Sequence, residues 1–171
     1  MPVRLLFLCG RRVFRPMAVM EAGWEEETMT TQEIEVYRKI QRNTEMGMKA
    51  IDAVSDKVYD DALAMQLSRQ TLKYSEIHNA AAKQLIAGKA EYYRSGFLED
   101  AKLRTGLHYN TLLNTSTGHI AELMIKSSTN GILDMEKALK RNENIGEKTA
   151  MLAKQLIECE EKNVARLKQY L

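Results

Sequence analysis

Proline is nearly missing from this chain. Of 171 residues only Pro2 and Pro16 are proline, and none follows from residue 17 to the end. Because proline costs about 3 kcal/mol in a helix interior, a stretch of this length without it leaves glycine and capping residues as the punctuation of long helices. Cysteine is also scarce. Cys9 and Cys159 stand far apart, with no C-x-x-C pair or histidine cluster, which argues against a zinc site or a disulfide framework and for free, reduced thiols. Charge of one sign is lacking too: 25 Lys and Arg oppose 23 Asp and Glu, interspersed throughout. There is no basic stripe with interleaved aromatics, as a nucleic-acid binder carries, and no basic face opposite an apolar one, as on a membrane-surface helix. No apolar run approaches the roughly 20 residues that span a bilayer, so the cytoplasm is the expected compartment.

Catalytic signatures are missing as well. The sequence has no β-alternation, no glycine-rich phosphate loop, no Ser-His-Asp arrangement and no nucleophile elbow. Cys159 follows Glu158 and precedes Glu160 and Glu161, neighbours that oppose thiolate formation. The composition therefore points away from an enzyme.

What is present is a helical protein with 44% hydrophobic residues, enough to close one core. Residues 1–28 differ from the rest, holding both prolines, the single tryptophan and two of the three phenylalanines. Glu25-Glu26-Glu27 can be encoded by a purine run containing AGGAGG, the form of a bacterial ribosome-binding site, just upstream of Met29. The expectation is that residues 1–28 are a mis-annotated or disordered extension and that residues 29–171 form the domain.

Four helices are predicted. Helix A starts at the capping box Thr30-Thr31-Gln32-Glu33 and runs to Val54, with Tyr37, Ile40, Thr44, Met48, Ile51 and Val54 on one face. Ser55-Asp56 caps helix B, whose stripe is Leu63, Leu67, Gln70, Tyr74, Ile77, Ala81 and Leu85, ending near Gly88. The short A–B connection makes these two antiparallel neighbours. Helix C is placed from Ser95-Gly96 to Arg141, with Gly106 and Thr115-Ser116-Thr117-Gly118 as points where it would kink or break. Its seam is Ala121, Ile125, Ser128, Ile132, Met135 and Leu139, with Ser127, Ser128 and Gly131 as small residues that let a neighbour approach. Asn144-Ile145-Gly146-Glu147 opens helix D, carried by Leu152, Leu156, Ile157, Val164, Leu167 and Leu171. The fold class is all-α, an antiparallel up-down four-helix bundle.

At 1.5 Å per residue these spans give about 37 Å for A, 39 Å for D, 50 Å for B and over 60 Å for an unbroken C. B and C, the longest, would outreach A and D. The B–C tip would then leave Leu85, Ile86, Phe97, Leu103, Leu107, Leu112 and Leu113 incompletely covered. Such a surface calls for a partner, a second copy of the chain or another protein, or for a helix C that folds back.

The stretches Tyr74-Ser75-Glu76-Ile77-His78, STGHIAELMIKSSTNGILDM (116–135) and EEKNVARLKQYL (160–171) resemble an uncharacterised family of short helical proteins from anaerobic Firmicutes. The likeness covers most of residues 30–171 and implies a bacterial, ferritin-like bundle. It implies no activity. Ferritin-like di-iron sites take a Glu from each of two helices and a Glu-x-x-His from each of the others. None of His78, His108 and His119 follows a glutamate by three. His119 and Glu122 share a helix face in reversed order, and are the one candidate pair for iron, manganese or zinc, with Glu45 or Glu160 as recruits; otherwise no cofactor is expected. Thr44, Gln70, Ser127, Ser128, Asn130 and Asn163 read as polar residues that fix helix register. Met46, Met48, Met65, Met124, Met135 and Met151 read as core filling.

Overall fold

Thr30 fastens the first helix as its sequence requires. Its hydroxyl accepts the Glu33 amide at 3.2 Å while its own amide donates to Glu33 Oε2 at 2.9 Å, closing the capping box. The structure is a computed structural model that describes residues 29–94, 96 and 114–171. Its helices are α1 (Thr31–Ser55), α2 (Asp61–Ala87), α3 (Thr117–Arg141) and α4 (Glu147–Leu167), followed by a single 3₁₀ turn, Lys168–Tyr170. Among the described residues there is no strand, and no helix is long and apolar enough to cross a membrane. Residues 1–28, the expected extension, lie outside the described residues.

One helix start differs from expectation, and a second falls at a break that the sequence left open. Ser55 and Asp56 end α1 rather than open α2: the Ser55 hydroxyl donates back to the Asp52 carbonyl at 2.8 Å. Asp60 is the true cap, its carboxylate taking the Leu63 amide at 2.7 Å. The third helix does not run unbroken from Ser95. Residues 114–116 are not helical, and Ser116 caps a new start by accepting the His119 amide at 3.3 Å. The helices contain 25, 27, 25 and 21 residues, so α2 is the longest, and the third, at about 38 Å, falls well short of 60 Å.

The helices form a square in which α1 packs on α2 and α3, and α4 packs on the same two. Gly88, after α2, lies against Met29 at the start of α1, and Gly146, at the start of α4, donates its amide to Glu33 there. Gly118 lies against the Tyr170 carbonyl at the other end. Hence α1 and α4 run one way, α2 and α3 the other, and every neighbouring pair is antiparallel. The end of α2 and the start of α3 are at opposite ends of the bundle, and most of the expected B–C tip lies outside the described residues. The connection sets off along α1: Lys89 takes a positive φ of 53°, the Glu91 carbonyl accepts from Arg38 Nε at 2.8 Å, and the Tyr93 amide donates to Gln41 Oε1 at 2.7 Å.

Glu33 ties two helix starts together. Besides capping α1, its Oε1 accepts the Gly146 amide at 3.1 Å and faces the Thr149 hydroxyl at 3.3 Å, supplying the cap that Gly146 has no side chain to make. These hydrogen bonds, the Thr30 amide first, hold its carboxyl below the usual value. The core between the ends is built from Ile40, Leu63, Ile77, Ile120, Met124 and Leu156, all fully buried. Each large apolar side chain of this kind contributes about 1.5–3 kcal/mol.

Candidate functional site

Four helices bring polar side chains to the middle of the core, and the spacing explains why. On α2 the buried positions include Gln66, Gln70 and Tyr74, one turn apart each. On α4 they are Thr149, Ala153, Leu156, Glu160, Asn163 and Leu167, alternating four and three. The two stripes meet at Tyr74 and Glu160, where the Tyr74 hydroxyl donates to Glu160 Oε2 at 2.6 Å. Gln70 Nε2 donates to the Tyr74 hydroxyl oxygen at 2.6 Å and makes a long contact of 3.5 Å with Ser128 Oγ on α3. Ser128 and Asn163 also donate to the Glu160 carboxylate.

Both remaining helices make room for this pair with glycine. A Cβ on Gly47 of α1 would stand 2.6 Å from the Tyr74 ring, and one on Gly131 of α3 would stand 3.2 Å from Glu160 Oε1. Glycine inside a helix costs about 1 kcal/mol relative to alanine, so the close approach accounts for two otherwise unfavourable residues.

Glu160 is 3% exposed. Burial pushes its carboxyl above the usual glutamate value, against the pull of its hydrogen bonds from Tyr74, Ser128 and Asn163. Burial, and then the neighbouring carboxylate, hold the Tyr74 hydroxyl well above its usual value. The Cys159 thiol is raised as well, first by burial and second by Glu160. It is no poised nucleophile. Among the described residues two buried polar atoms have no hydrogen-bond partner: Gln66 Nε2, a donor, and Gln70 Oε1, an acceptor. One turn away from Tyr74, His78 Nδ1 meets the Thr44 hydroxyl of α1 at 3.2 Å.

The surface offers a second feature. Between α2 and α4 runs a groove of about 560 Å³, lined by Tyr37, Ala80, Gln84, Met151, Leu152 and Gln155, with Lys148, Lys154 and Glu158 along its α4 side. Met151 is 63% exposed there, and Met65 on α2 is 54% exposed, so these two methionines are not core filling. Met124 and Met135 are.

The residues singled out from sequence are dispersed. His119 Nδ1 and Glu122 Oε2 stand 3.9 Å apart in the first turns of α3. Among the described residues no group of three or more His, Cys, Asp or Glu is placed to hold a metal. Glu160 cannot join His119, since it packs on Gly131, about 18 Å further along α3. Glu45 pairs with Lys49 at 2.7 Å. Leu85 is fully buried rather than exposed, because it continues the α2 core stripe, whereas Ile86 is 68% exposed. Phe97, Leu103, Leu107, Leu112 and Leu113 lie outside the described residues. Of the polar residues, Thr44, Gln70, Ser128 and Asn163 are buried and Asn130 is exposed. Glu160 was missed as a core residue, although its place in the four–three alternation of α4 marks it.

No known protein family matches the sequence, and no curated protein matches it. Among solved structures the chain is similar to the crystal structure of a DUF305 fragment from Deinococcus radiodurans, with a TM-score of 0.63 and 11% identity over 82% of this chain and 95% of that one. What the two share is the helical fold.

Proposed function

We propose that the protein is non-enzymatic and works by association, pairing with a second copy through the groove between α2 and α4. The observation that carries this reading is the exposed apolar groove of about 560 Å³, with Met151 at its edge and Leu152 and Ala80 within it. The charges beside it favour a second copy as occupant. Lys148, Lys154 and Glu158 flank the groove on α4, Lys148 and Glu158 being ten residues and so about 15 Å apart. A two-fold axis at residue 153 sets Lys148 of one copy against Glu158 of the other, twice, because an isologous contact repeats itself. Met151 of each copy then faces Gln155 of the other.

Charge reversal tests this pairing. Lys148→Glu should weaken association by placing like charges opposite each other, and the double change Lys148→Glu with Glu158→Lys should restore it. Met151→Glu should weaken it as well. Association that ignores all three variants would place the contact elsewhere.

A second reading is a metal-binding protein of ferritin-like kind, holding iron, manganese or zinc at His119 and Glu122. Its support is the connectivity, since one long crossover is the ferritin-like pattern, and the 3.9 Å approach of the pair. Stoichiometric metal in protein purified without chelators, lost in His119→Ala, would establish it, and metal-free protein would exclude it.

A further inference from the structure

We propose that Glu160 is a reversible proton-binding site, and that loading it reverses the direction of the hydrogen-bond chain Gln70–Tyr74–Glu160. The geometry is a single file of groups. Gln70 Nε2 donates to the Tyr74 oxygen at 2.6 Å and the Tyr74 hydroxyl donates to Glu160 Oε2 at 2.6 Å, so every donor points toward the carboxylate. This direction suits an ionised Glu160, which only accepts. It also strands the acceptor end of the Gln70 amide, whose Oε1 is buried without a partner. When a proton from solvent binds Glu160, the carboxylic acid becomes a donor to the Tyr74 oxygen. The Tyr74 hydroxyl proton then turns toward residue 70, and a half-turn of the Gln70 amide brings Oε1 round to accept it. One proton is gained, no covalent bond among the three side chains breaks, and the unpaired end of the Gln70 amide passes from its oxygen to its nitrogen.

The surroundings of Glu160 suit a group that changes charge. The carboxylate is 3% exposed, and the groups that hydrogen-bond to it, Tyr74, Ser128 and Asn163, are neutral. α1 and α3 present Gly47, Gly131 and Ser128 to the pair. The titratable groups that bear on it among the described residues are Tyr74 from α2 and Cys159 beside it on α4, while His78 is turned to Thr44 on α1. Burial favours the protonated carboxyl while the donors aimed at it favour the ionised one, so the two charge states are set against each other. The proposal stands apart from the association reading, since it concerns the core and not the groove.

Nuclear magnetic resonance on the full chain, with ¹³C at the glutamate carboxyls and ¹⁵N at the glutamine amides, reads both halves of the event. The Glu160 carboxyl, assigned by through-bond correlation in the wild type and checked by its loss in Glu160→Gln, should titrate above the exposed glutamates. The Gln70 side-chain amide should move with the same midpoint. In Tyr74→Phe the Gln70 response should vanish while Glu160 still titrates. A Glu160 that titrates together with the exposed glutamates, or a Gln70 amide that stays still while Glu160 titrates, would overturn the proposal. Neither depends on a variant folding.

Discussion

The Tyr74 hydroxyl reaches Glu160 Oε2 at 2.6 Å across the core, joining α2 to α4 through a buried carboxylate. Removing the hydroxyl leaves that carboxylate one donor short. Tyr74→Phe should therefore lower stability by about 1.5–3 kcal/mol at neutral pH, the worth of a hydrogen bond to a charged group. The loss should shrink on acidification, as Glu160 takes up its proton. Urea denaturation at both pH values measures it, and an equal loss at both would show that the hydroxyl's contribution does not depend on the charge of Glu160.

Glu160→Gln keeps the shape of the side chain and removes the buried charge. At neutral pH it should be close to neutral or stabilising, because an uncharged amide does not pay the desolvation of a carboxylate. A loss of 3 kcal/mol or more in the same denaturation assay would mean that the carboxylate is needed ionised.

Gly47→Ala sets two effects against each other. Helix propensity gains about 1 kcal/mol, but the added methyl group meets the Tyr74 ring at 2.6 Å, and overpacking of a tight core costs about 1–3 kcal/mol. The steric term should win, giving a lower melting temperature. In a Tyr74→Leu background, where the ring is gone, the same change should stabilise. Gly131→Ala, whose nearest atom is the Glu160 carboxylate end at 3.2 Å, should be the milder of the two.

Two carboxylates should give opposite slopes of stability against pH. Glu160 is raised in the folded state, so its contribution is fully present below the unfolded value and is lost as pH rises through the folded one. Glu33 is lowered by the Thr30 and Gly146 amides, so its contribution is present above the unfolded value and is lost as pH falls through the folded one. Stability curves of the wild type, Glu33→Gln and Glu160→Gln across the acid range separate the two. Glu33→Gln should remove the acid-side loss, and Glu160→Gln should remove the decline toward neutral pH.

Local signals were legible where chemistry and spacing agreed. The Thr30 capping box lies where its residues put it, and all seven residues of the α2 stripe are buried. Spacing failed where residue type misled. Glu160 occupies a core position in the alternation Thr149, Ala153, Leu156, Glu160, Asn163, Leu167, but glutamate usually marks a surface. Leu171, counted into the α4 stripe for its apolar side chain, is 71% exposed past the end of the helix. The third helix starts within Thr115 to Gly118, one of the two places where the sequence allows a break without proline, and Ser116 supplies the cap. That α2 ends and α3 starts at opposite ends of the bundle could not be read locally, since it depends on which helices pack together. The α2–α4 groove escaped for the same reason, as its lining comes from three helices distant in sequence.

Association through that groove is most directly tested by sedimentation equilibrium of the full wild-type chain over a wide range of concentrations. The account predicts a mass that rises with concentration to twice the 19.5 kDa of one chain. A mass of 19.5 kDa at every concentration would contradict it.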